Sequence, residues 1–149
     1  MGFVTSLAGR RVYLDTNVFI YALSGFAAFR SLLTELFDAI EANSLIAVTS
    51  ELALAETLVI PFRHEDADEE QRCREIFRAG PGLELHPVSM GVLEATARMR
   101  AASPAMRTPD AIHAATAQLA ECDVFLTNDA RLKNTPGLTV LLLSNAVVP

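Results

Sequence analysis

The chain has 149 residues, of which 51% are hydrophobic, and a formal net charge of −6. This length predicts one domain over residues 1–149, and the negative charge excludes the broad basic surface of a general nucleic-acid binder. No uncharged apolar run approaches the ~20 residues that span a bilayer, and the first nine residues do not resemble a secretory signal. We therefore expect a cytoplasmic protein without a membrane segment, and we expect its two cysteines, Cys73 and Cys122, to be reduced.

Strands and helices alternate in the predicted secondary structure. In chain order, the apolar patterns predict a strand over 11–14, helices over 16–23 and 26–43, a strand over 45–48, helices over 51–60 and 63–78, a strand over 83–88, helices over 89–102 and 108–121, and strands over 124–127 and 138–143. Pro61 is expected to end the third helix, and Gly80-Pro81-Gly82 is the strongest turn signal. This alternation predicts the α/β class, with a mainly parallel five-stranded sheet flanked by helices on both faces.

Four acidic residues lie where packing gives no reason for a carboxylate. Asp15 and Asp129 follow apolar strands, Asp110 opens an alanine-rich helix, and Glu56 lies among apolar residues of another helix. Because ligands bind beyond the carboxyl ends of the strands in open α/β sheets, we expect these acids to meet at one edge of the sheet. From their positions alone, Asp110 and Asp129 could equally be N-cap residues, which stabilise a helix by ~1 kcal/mol.

Asp15 is the acid that most strongly indicates a cation. Thr16 or Asn17 could cap the following helix in its place, and a carboxylate that follows three apolar residues is partly desolvated. Several carboxylates in one site repel one another unless a metal keeps them ionised. All-oxygen ligation suits Mg²⁺ or Mn²⁺, whereas Zn²⁺ would call for cysteine or histidine. An ion of this kind typically acts on phosphate esters.

Each of the four acids lies in a short motif. The motifs are Tyr13-Leu14-Asp15-Thr16-Asn17-Val18-Phe19-Ile20, Ser50-Glu51-Leu52-Ala53-Leu54-Ala55-Glu56, Arg107-Thr108-Pro109-Asp110-Ala111-Ile112-His113-Ala114-Ala115-Thr116 and Phe125-Leu126-Thr127-Asn128-Asp129. In this order and spacing they resemble the motifs of the PIN domain family, and within it the VapC-like ribonuclease toxins of prokaryotic toxin–antitoxin pairs. Each motif alone is a weak signal, and the four together are a strong one.

The resemblance implies a metal-dependent endoribonuclease. Its Mg²⁺ or Mn²⁺ would be held by Asp15, Glu56, Asp110 and Asp129, which would also be the catalytic residues. The resemblance further implies an RNA substrate, a homodimer, and inhibition by a small cognate antitoxin that inserts a basic residue into the site.

Other side chains in the motifs adjoin the acids. Supporting roles are expected for four of them: Thr16, Asn17, Thr127 and Asn128. Arg107 is either an RNA phosphate contact or a solvated residue. His113 lies one helical turn after Asp110 and could face the site, but its apolar neighbours favour packing.

Two other functions stay open. A receiver domain or a haloacid-dehalogenase-type phosphatase also places aspartates and Mg²⁺ at strand ends, but it attacks through a carboxylate. The phosphatase needs a second Asp where this chain has Asn17, and the receiver needs a Lys at a late strand end, whereas Lys133 falls in a loop. The remaining alternative is a catalytically inactive PIN-like binding module, and the intact set of four acids argues against it.

Overall fold

The computed structural model describes residues 2–78, 80 and 82–147, and its strands and helices alternate as predicted. The elements in chain order are α1 (Phe3–Ser6), β1 (Arg11–Leu14), α2 (Thr16–Ser24), α3 (Arg30–Glu41), β2 (Ile46–Ser50), α4 (Glu51–His64), α5 (Ala67–Ile76), β3 (Leu83–His86), α6 (Met90–Ala102), α7 (Thr108–Leu119), β4 (Val124–Thr127), β5 (Val140–Leu142) and α8 (Leu143–Ala146). A short 3₁₀ helix, Ala130–Leu132, lies between β4 and β5. The sequence did not predict α1, which has only four residues.

The five strands form one parallel sheet in the order β3-β2-β1-β4-β5, which confirms the predicted class. The central strand is β1, where Tyr13 lies opposite Val48 of β2 and Phe125 of β4. Because parallel strands end at the same edge of a sheet, the residues that follow β1 and β4 are neighbours. Asp15 and Asp129 are thus brought to one edge.

Side chains of β1 alternate between two apolar layers, one on each face of the sheet. Val12 and Leu14 belong to the larger layer, which α2 and α3 cover. Tyr13 belongs to the other layer, where its ring stacks on that of Phe125 with centroids 5.0 Å apart. Such a pair adds ~0.5–1.5 kcal/mol beyond the area that it buries. The stack fixes the tyrosine ring, and its hydroxyl reaches His113 of α7.

The predicted end of a helix at Pro61 is wrong, because α4 continues to His64. Proline fixes φ near the helical value and removes one N–H donor, so a helix can pass through it for a last turn at a cost in stability. Glu65 then adopts a left-handed conformation with φ 51°, and Asp66 caps α5. The helix predicted over 63–78 is therefore shorter, and Arg63 and His64 belong to α4.

Other element bounds also differ from the prediction. The helix predicted over 26–43 begins only at Arg30. The strand predicted over 83–88 ends at His86, because Pro87 has no N–H for a strand ladder. The strand predicted over 138–143 is limited to Val140–Leu142, since Leu143 begins α8.

Gly82 marks the turn that was predicted before the third strand, whereas Pro81 of that turn lies outside the described residues. A Cβ on Gly82 would lie 2.1 Å from the carbonyl oxygen of Ile40, and its φ is 84°, so only glycine fits. The Gly82 carbonyl accepts from the N–H of Ala47 at 2.6 Å and so aligns β3 beside β2. Among the described residues, no helix is long and apolar enough to cross a bilayer.

Candidate active site

Asp15 is the most enclosed of the four predicted acids, with 6% of its surface exposed. Its carboxylate accepts hydrogen bonds from the N–H of Thr16 (2.9 Å) and from the hydroxyl of Thr127 (2.7 Å). The first bond makes Asp15 itself the N-cap of α2, a role that the sequence assigned to the residues after it. Burial raises the pKa of the Asp15 carboxyl; His113 and the bond from Thr127 oppose the rise, and the charge of Asp110 adds a smaller increase. A carboxylate in this setting favours a cation beside it.

Glu56 reaches the same region from the middle of α4. Its Oε1 accepts from the Thr16 hydroxyl (2.7 Å) and contacts His113 Nε2 at 2.6 Å. Burial alone would raise the pKa of the Glu56 carboxyl, but the hydrogen bonds from His113 and Thr16 outweigh it and hold that pKa below its ordinary value. His113 Nε2 also lies 3.9 Å from Asp15 Oδ1. The imidazole therefore stands between the two acids.

His113 is buried, with 2% of its surface exposed, as its apolar neighbours suggested. The structure adds that both ring nitrogens contact polar groups, since Nδ1 lies 2.6 Å from the hydroxyl of Tyr13. Burial raises the pKa of the Tyr13 phenol well above its ordinary value, so this hydroxyl keeps its proton. The sequence did carry one signal of this contact, because Tyr13 is two residues before Asp15 and His113 is one turn after Asp110.

Asp110 and Asp129 lie on either side of the guanidinium of Arg131. Arg131 Nε is 3.0 and 3.2 Å from the two carboxylate oxygens of Asp129, and its Nη2 also bonds that carboxylate. The same Nη2 lies 4.0 Å from Asp110 Oδ2, and Arg107 Nε lies 3.3 Å from it. Hydrogen bonds from Arg131 hold the pKa of the Asp129 carboxyl below its ordinary value. No role was predicted for Arg131, although its spacing of two residues from Asp129 allows this contact.

Helix capping, the alternative role predicted for these two acids, applies to Asp129 but not to Asp110. Asp129 caps the 3₁₀ helix by accepting from the N–H of Arg131 at 3.0 Å. Asp110 does not cap α7, because the N-cap position belongs to Arg107 and Asp110 lies within the first turn. Its negative charge there is favoured by the helix dipole. Helix capping therefore leaves the position of Asp110 unexplained.

The predicted supporting residues connect the acids to one another. The Thr127 hydroxyl donates to Asp15 and accepts from Asn17 Nδ2 and from the N–H of Asp129, both at 3.0 Å. Asn17 Oδ1 in turn accepts from the N–H of Asn128 at 3.1 Å. The ends of β1 and β4 are thus joined by side chains, and these bonds orient Asp15 and Asp129.

The donor set suits a hard cation, because all four predicted ligands are carboxylates. The guanidinium between Asp110 and Asp129 is itself a cation, which supports the fit. Within residues 2–78, 80 and 82–147, however, no group of three or more His, Cys, Asp or Glu side chains is arranged to hold a metal ion. In place of an ion, Arg131 binds Asp129 and His113 binds Glu56. Entry of an ion would require Arg131 to move, and 60% of its side chain is exposed.

The fold and the site define an α/β protein with an acidic cluster beyond the carboxyl ends of its parallel strands. A family model described as the PIN domain matches residues 12–138, and the chain belongs to this family. A search of curated proteins finds no match.

Solved structures resemble the chain over most of its length. VapBC2 from Rickettsia felis, bound to a DNA fragment from its promoter, aligns with a TM-score of 0.70 and 18% identity over 89% of this chain and 98% of that one. FitAcB from Neisseria gonorrhoeae aligns with a TM-score of 0.68 and 17% identity, over 89% of this chain and 98% of that one. VapC20 from Mycobacterium tuberculosis is described as a toxin that cleaves the sarcin–ricin loop. It aligns with a TM-score of 0.67 and 15% identity, over 87% of this chain and 98% of that one. At these identities the likeness concerns the fold.

Proposed function

We propose that the chain is a Mg²⁺- or Mn²⁺-dependent endoribonuclease and the toxin of a toxin–antitoxin pair that acts in the cytoplasm. The observation that carries the proposal is the electrostatic coupling of the acids at one sheet edge. One guanidinium lies against both Asp110 and Asp129, and the pKa of Asp15 is raised, chiefly by burial and to a smaller extent by the charge of Asp110. Glu56 joins them through His113, whose Nε2 is near both Glu56 and Asp15.

Asp15, Glu56, Asp110 and Asp129 would hold the divalent ion. When bound, such an ion makes a water molecule nucleophilic at neutral pH and balances the charge on the phosphate. The chain's own contribution is orientation: Thr127 directs Asp15, and Thr16 directs Glu56. Preorganised groups of this kind do not have to reorient during the reaction.

RNA is the proposed substrate, and a groove beside Asp110 that two arginines line supports it. The groove has a volume of about 350 Å³, and its walls include Arg107, Asp110, Arg131, Asn134 and Thr135. Arg107 has 63% of its side chain exposed, so its guanidinium can turn from Asp110 to a phosphate. The proposed contact between Arg107 and RNA supplies positive charge that the chain as a whole lacks.

A small antitoxin is the proposed protein partner. The similar structures from Rickettsia felis and Klebsiella pneumoniae are a VapBC pair and a toxin–antitoxin complex. In this chain, the contact between Arg131 and Asp129 supports a site that accepts a guanidinium, so an antitoxin Arg or Lys could replace the metal there. Inhibition would follow because the acids would then be neutralised without a divalent ion.

A homodimer is also proposed. In the helix predicted over 26–43, Phe26 is 48% exposed, whereas Leu33 and Leu36 are buried in the core. Val59 and Phe62 of α4 are also exposed (42% and 52%), and their spacing of three residues places them on one face of that helix. Such a cluster favours association.

The test of the proposed function is RNA cleavage by the purified chain. Structured and single-stranded RNA would be incubated with and without Mn²⁺, and the new ends would be mapped. We expect cleavage at defined sites that requires the ion and is absent in Asp15→Asn. Cleavage by both proteins, or by neither, would count against the proposal.

A further inference from the structure

We propose that His113 is a positioning residue, which fixes the carboxylate of Glu56 in the orientation that ligates the divalent ion. The inference rests on the proposed function and goes beyond it, because it assigns a part of the site to a residue outside the four acids. The feature that carries it is a chain of short contacts from the Tyr13 hydroxyl through the imidazole of His113 to Glu56, with 2.6 Å on each side of the ring.

The side of the ring that faces Glu56 must carry a proton. A carboxylate accepts hydrogen bonds only, so His113 Nε2, 2.6 Å from Oε1, is the donor in both the neutral and the charged imidazole. The Thr16 hydroxyl donates to the same Oε1 at 2.7 Å. Two donors therefore hold one oxygen of Glu56, and within the described residues no hydrogen bond engages Oε2, which can then face an ion.

The other side of the ring fixes its rotation. His113 Nδ1 contacts the Tyr13 hydroxyl, and the tyrosine ring is held by its stack on Phe125. Tyr13 and His113 are 0% and 2% exposed, so water does not compete for these bonds. A buried polar group that is fully hydrogen-bonded has one favoured orientation, because any other would leave a buried partner unpaired.

Glu56 itself would not keep this orientation unaided. Its side chain is 35% exposed and sits on the surface of α4, where several rotamers are open to an unrestrained glutamate. Outer partners that orient the ligands of a metal site typically change metal affinity or activity by about 10–100-fold when they are removed. The contact with His113 has the geometry of such a partner.

The experiment compares two substitutions of His113 that differ in one property. His113→Gln places an amide N–H₂ near the position of Nε2 and keeps a donor for Glu56, whereas His113→Leu has similar bulk and no donor. His86→Leu is the matched control, since His86 also contacts a glutamate, at 3.0 Å from Glu84, and neither residue belongs to the site. Thermal unfolding checks that all four proteins fold.

Three readouts are measured: Mn²⁺ affinity by calorimetry, kcat and KM for RNA cleavage, and the side-chain NMR signals of Glu56 without metal. We expect His113→Leu to weaken Mn²⁺ binding and to lower kcat by about 10–100-fold with KM unchanged. His113→Gln should recover most of both losses, and His86→Leu should match the wild type. Without metal, Glu56 should keep one rotamer in the wild type and in His113→Gln, and should average among rotamers in His113→Leu.

Equal Mn²⁺ affinity and an equally fixed Glu56 in wild type and His113→Leu would overturn the inference. Equal losses in the Leu and Gln variants would also overturn it, because the donor would then not matter. If the wild type neither bound Mn²⁺ nor cleaved RNA, the proposed function would fail. The metal-free NMR comparison would then still decide whether His113 positions Glu56.

Discussion

Arg131 binds the carboxylate of Asp129, the residue two positions before it, through both oxygens. The pairing places a cation of the chain itself where the proposed metal would lie. Because Nη2 also lies 4.0 Å from Asp110, a divalent ion and Arg131 would compete for two of the four acids. The protein without metal thus carries its own counter-charge in the site.

The first prediction is that Arg131→Gln binds Mn²⁺ several-fold more tightly than the wild type. Removal of the guanidinium leaves Asp110 and Asp129 without a competing cation, and the ion no longer has to displace it. Calorimetric titration with Mn²⁺ measures the change. Arg74→Gln is the control, because it removes a guanidinium from an ion pair on α5 at a distance from the acids. Weaker Mn²⁺ binding by Arg131→Gln would show that Arg131 supports the site instead of competing for it.

The second prediction concerns Asp15→Asn, which should abolish cleavage and leave Tm unchanged or raised at pH 7 without metal. The pKa of Asp15 is raised in the folded state, so its ionisation disfavours folding at pH values above that folded pKa. As the pH falls toward ~3.9, the ordinary pKa of aspartate, the wild type regains this stability by protonation.

The advantage of the Asn variant should therefore shrink between pH 7 and pH 4. Thermal melts of both proteins across this range measure the difference in Tm. A difference that grew in favour of the variant as the pH fell would contradict the raised pKa of Asp15.

The sequence predicted that Asp15 and Asp129 lie at one edge of the sheet because the cause of that placement is local. An acid directly after a buried parallel strand must lie at the carboxyl edge, so Asp15 and Asp129 could be placed without coordinates. Glu56 was recognised because an isolated carboxylate among apolar residues of a helix needs an explanation. The supporting roles of Thr127 and Asn17 followed in the same way, since each is next to an acid in the chain or two residues from it.

The contacts that were missed depend on the packing between distant elements. Tyr13 and His113 are 100 residues apart in the chain. Only the packing of α7 against the sheet brings the Tyr13 hydroxyl to Nδ1 of His113. Apolar neighbours of His113 correctly predicted burial, but they carry no information on what its ring nitrogens contact. The continuation of α4 past Pro61 was missed for another reason, because the general rule for proline ignores the stability that a packed helix provides.

The third prediction is that Asp110→Ala greatly reduces the rise in Tm that Mn²⁺ causes. An ion that binds only the folded protein raises Tm by mass action, and loss of one ligand weakens that binding. Glu51→Ala is the matched control, since Glu51 is also an acid in the first turn of a helix and tests the helix-dipole contribution alone. An equal Mn²⁺ response in Asp110→Ala and the wild type would mean that Asp110 is not a ligand.

The fourth prediction is that Arg107→Gln weakens RNA binding with little change in kcat. An exposed guanidinium that contacts a phosphate contributes to affinity for any sequence, and its loss lowers the salt dependence of binding by about one counterion. Binding of a non-cleavable RNA at several salt concentrations measures this slope. Arg98→Gln, at an exposed position on α6, serves as control. An unchanged slope would mean that Arg107 contacts Asp110 and does not contact an RNA phosphate.

The fifth prediction is that the chain is a dimer at micromolar concentration. The exposed Val59 and Phe62, three residues apart on α4, give this helix an apolar surface that association would bury. Light scattering coupled to size exclusion measures the mass directly, and Phe62→Glu should shift the protein toward monomer. A monomeric wild type would contradict the proposed homodimer, but it would not test the proposed metal site.

The most direct test of the proposed nuclease is Mn²⁺-dependent cleavage of RNA by wild type, Asp15→Asn and Asp129→Asn under identical conditions. We predict cleavage at defined positions by the wild type with Mn²⁺, none after removal of the ion, and none by either variant. Both variants should remain folded in thermal melts. Cleavage that persisted in both variants, or a folded wild type that left every RNA intact with Mn²⁺, would contradict the assignment of this acidic edge as a nuclease site.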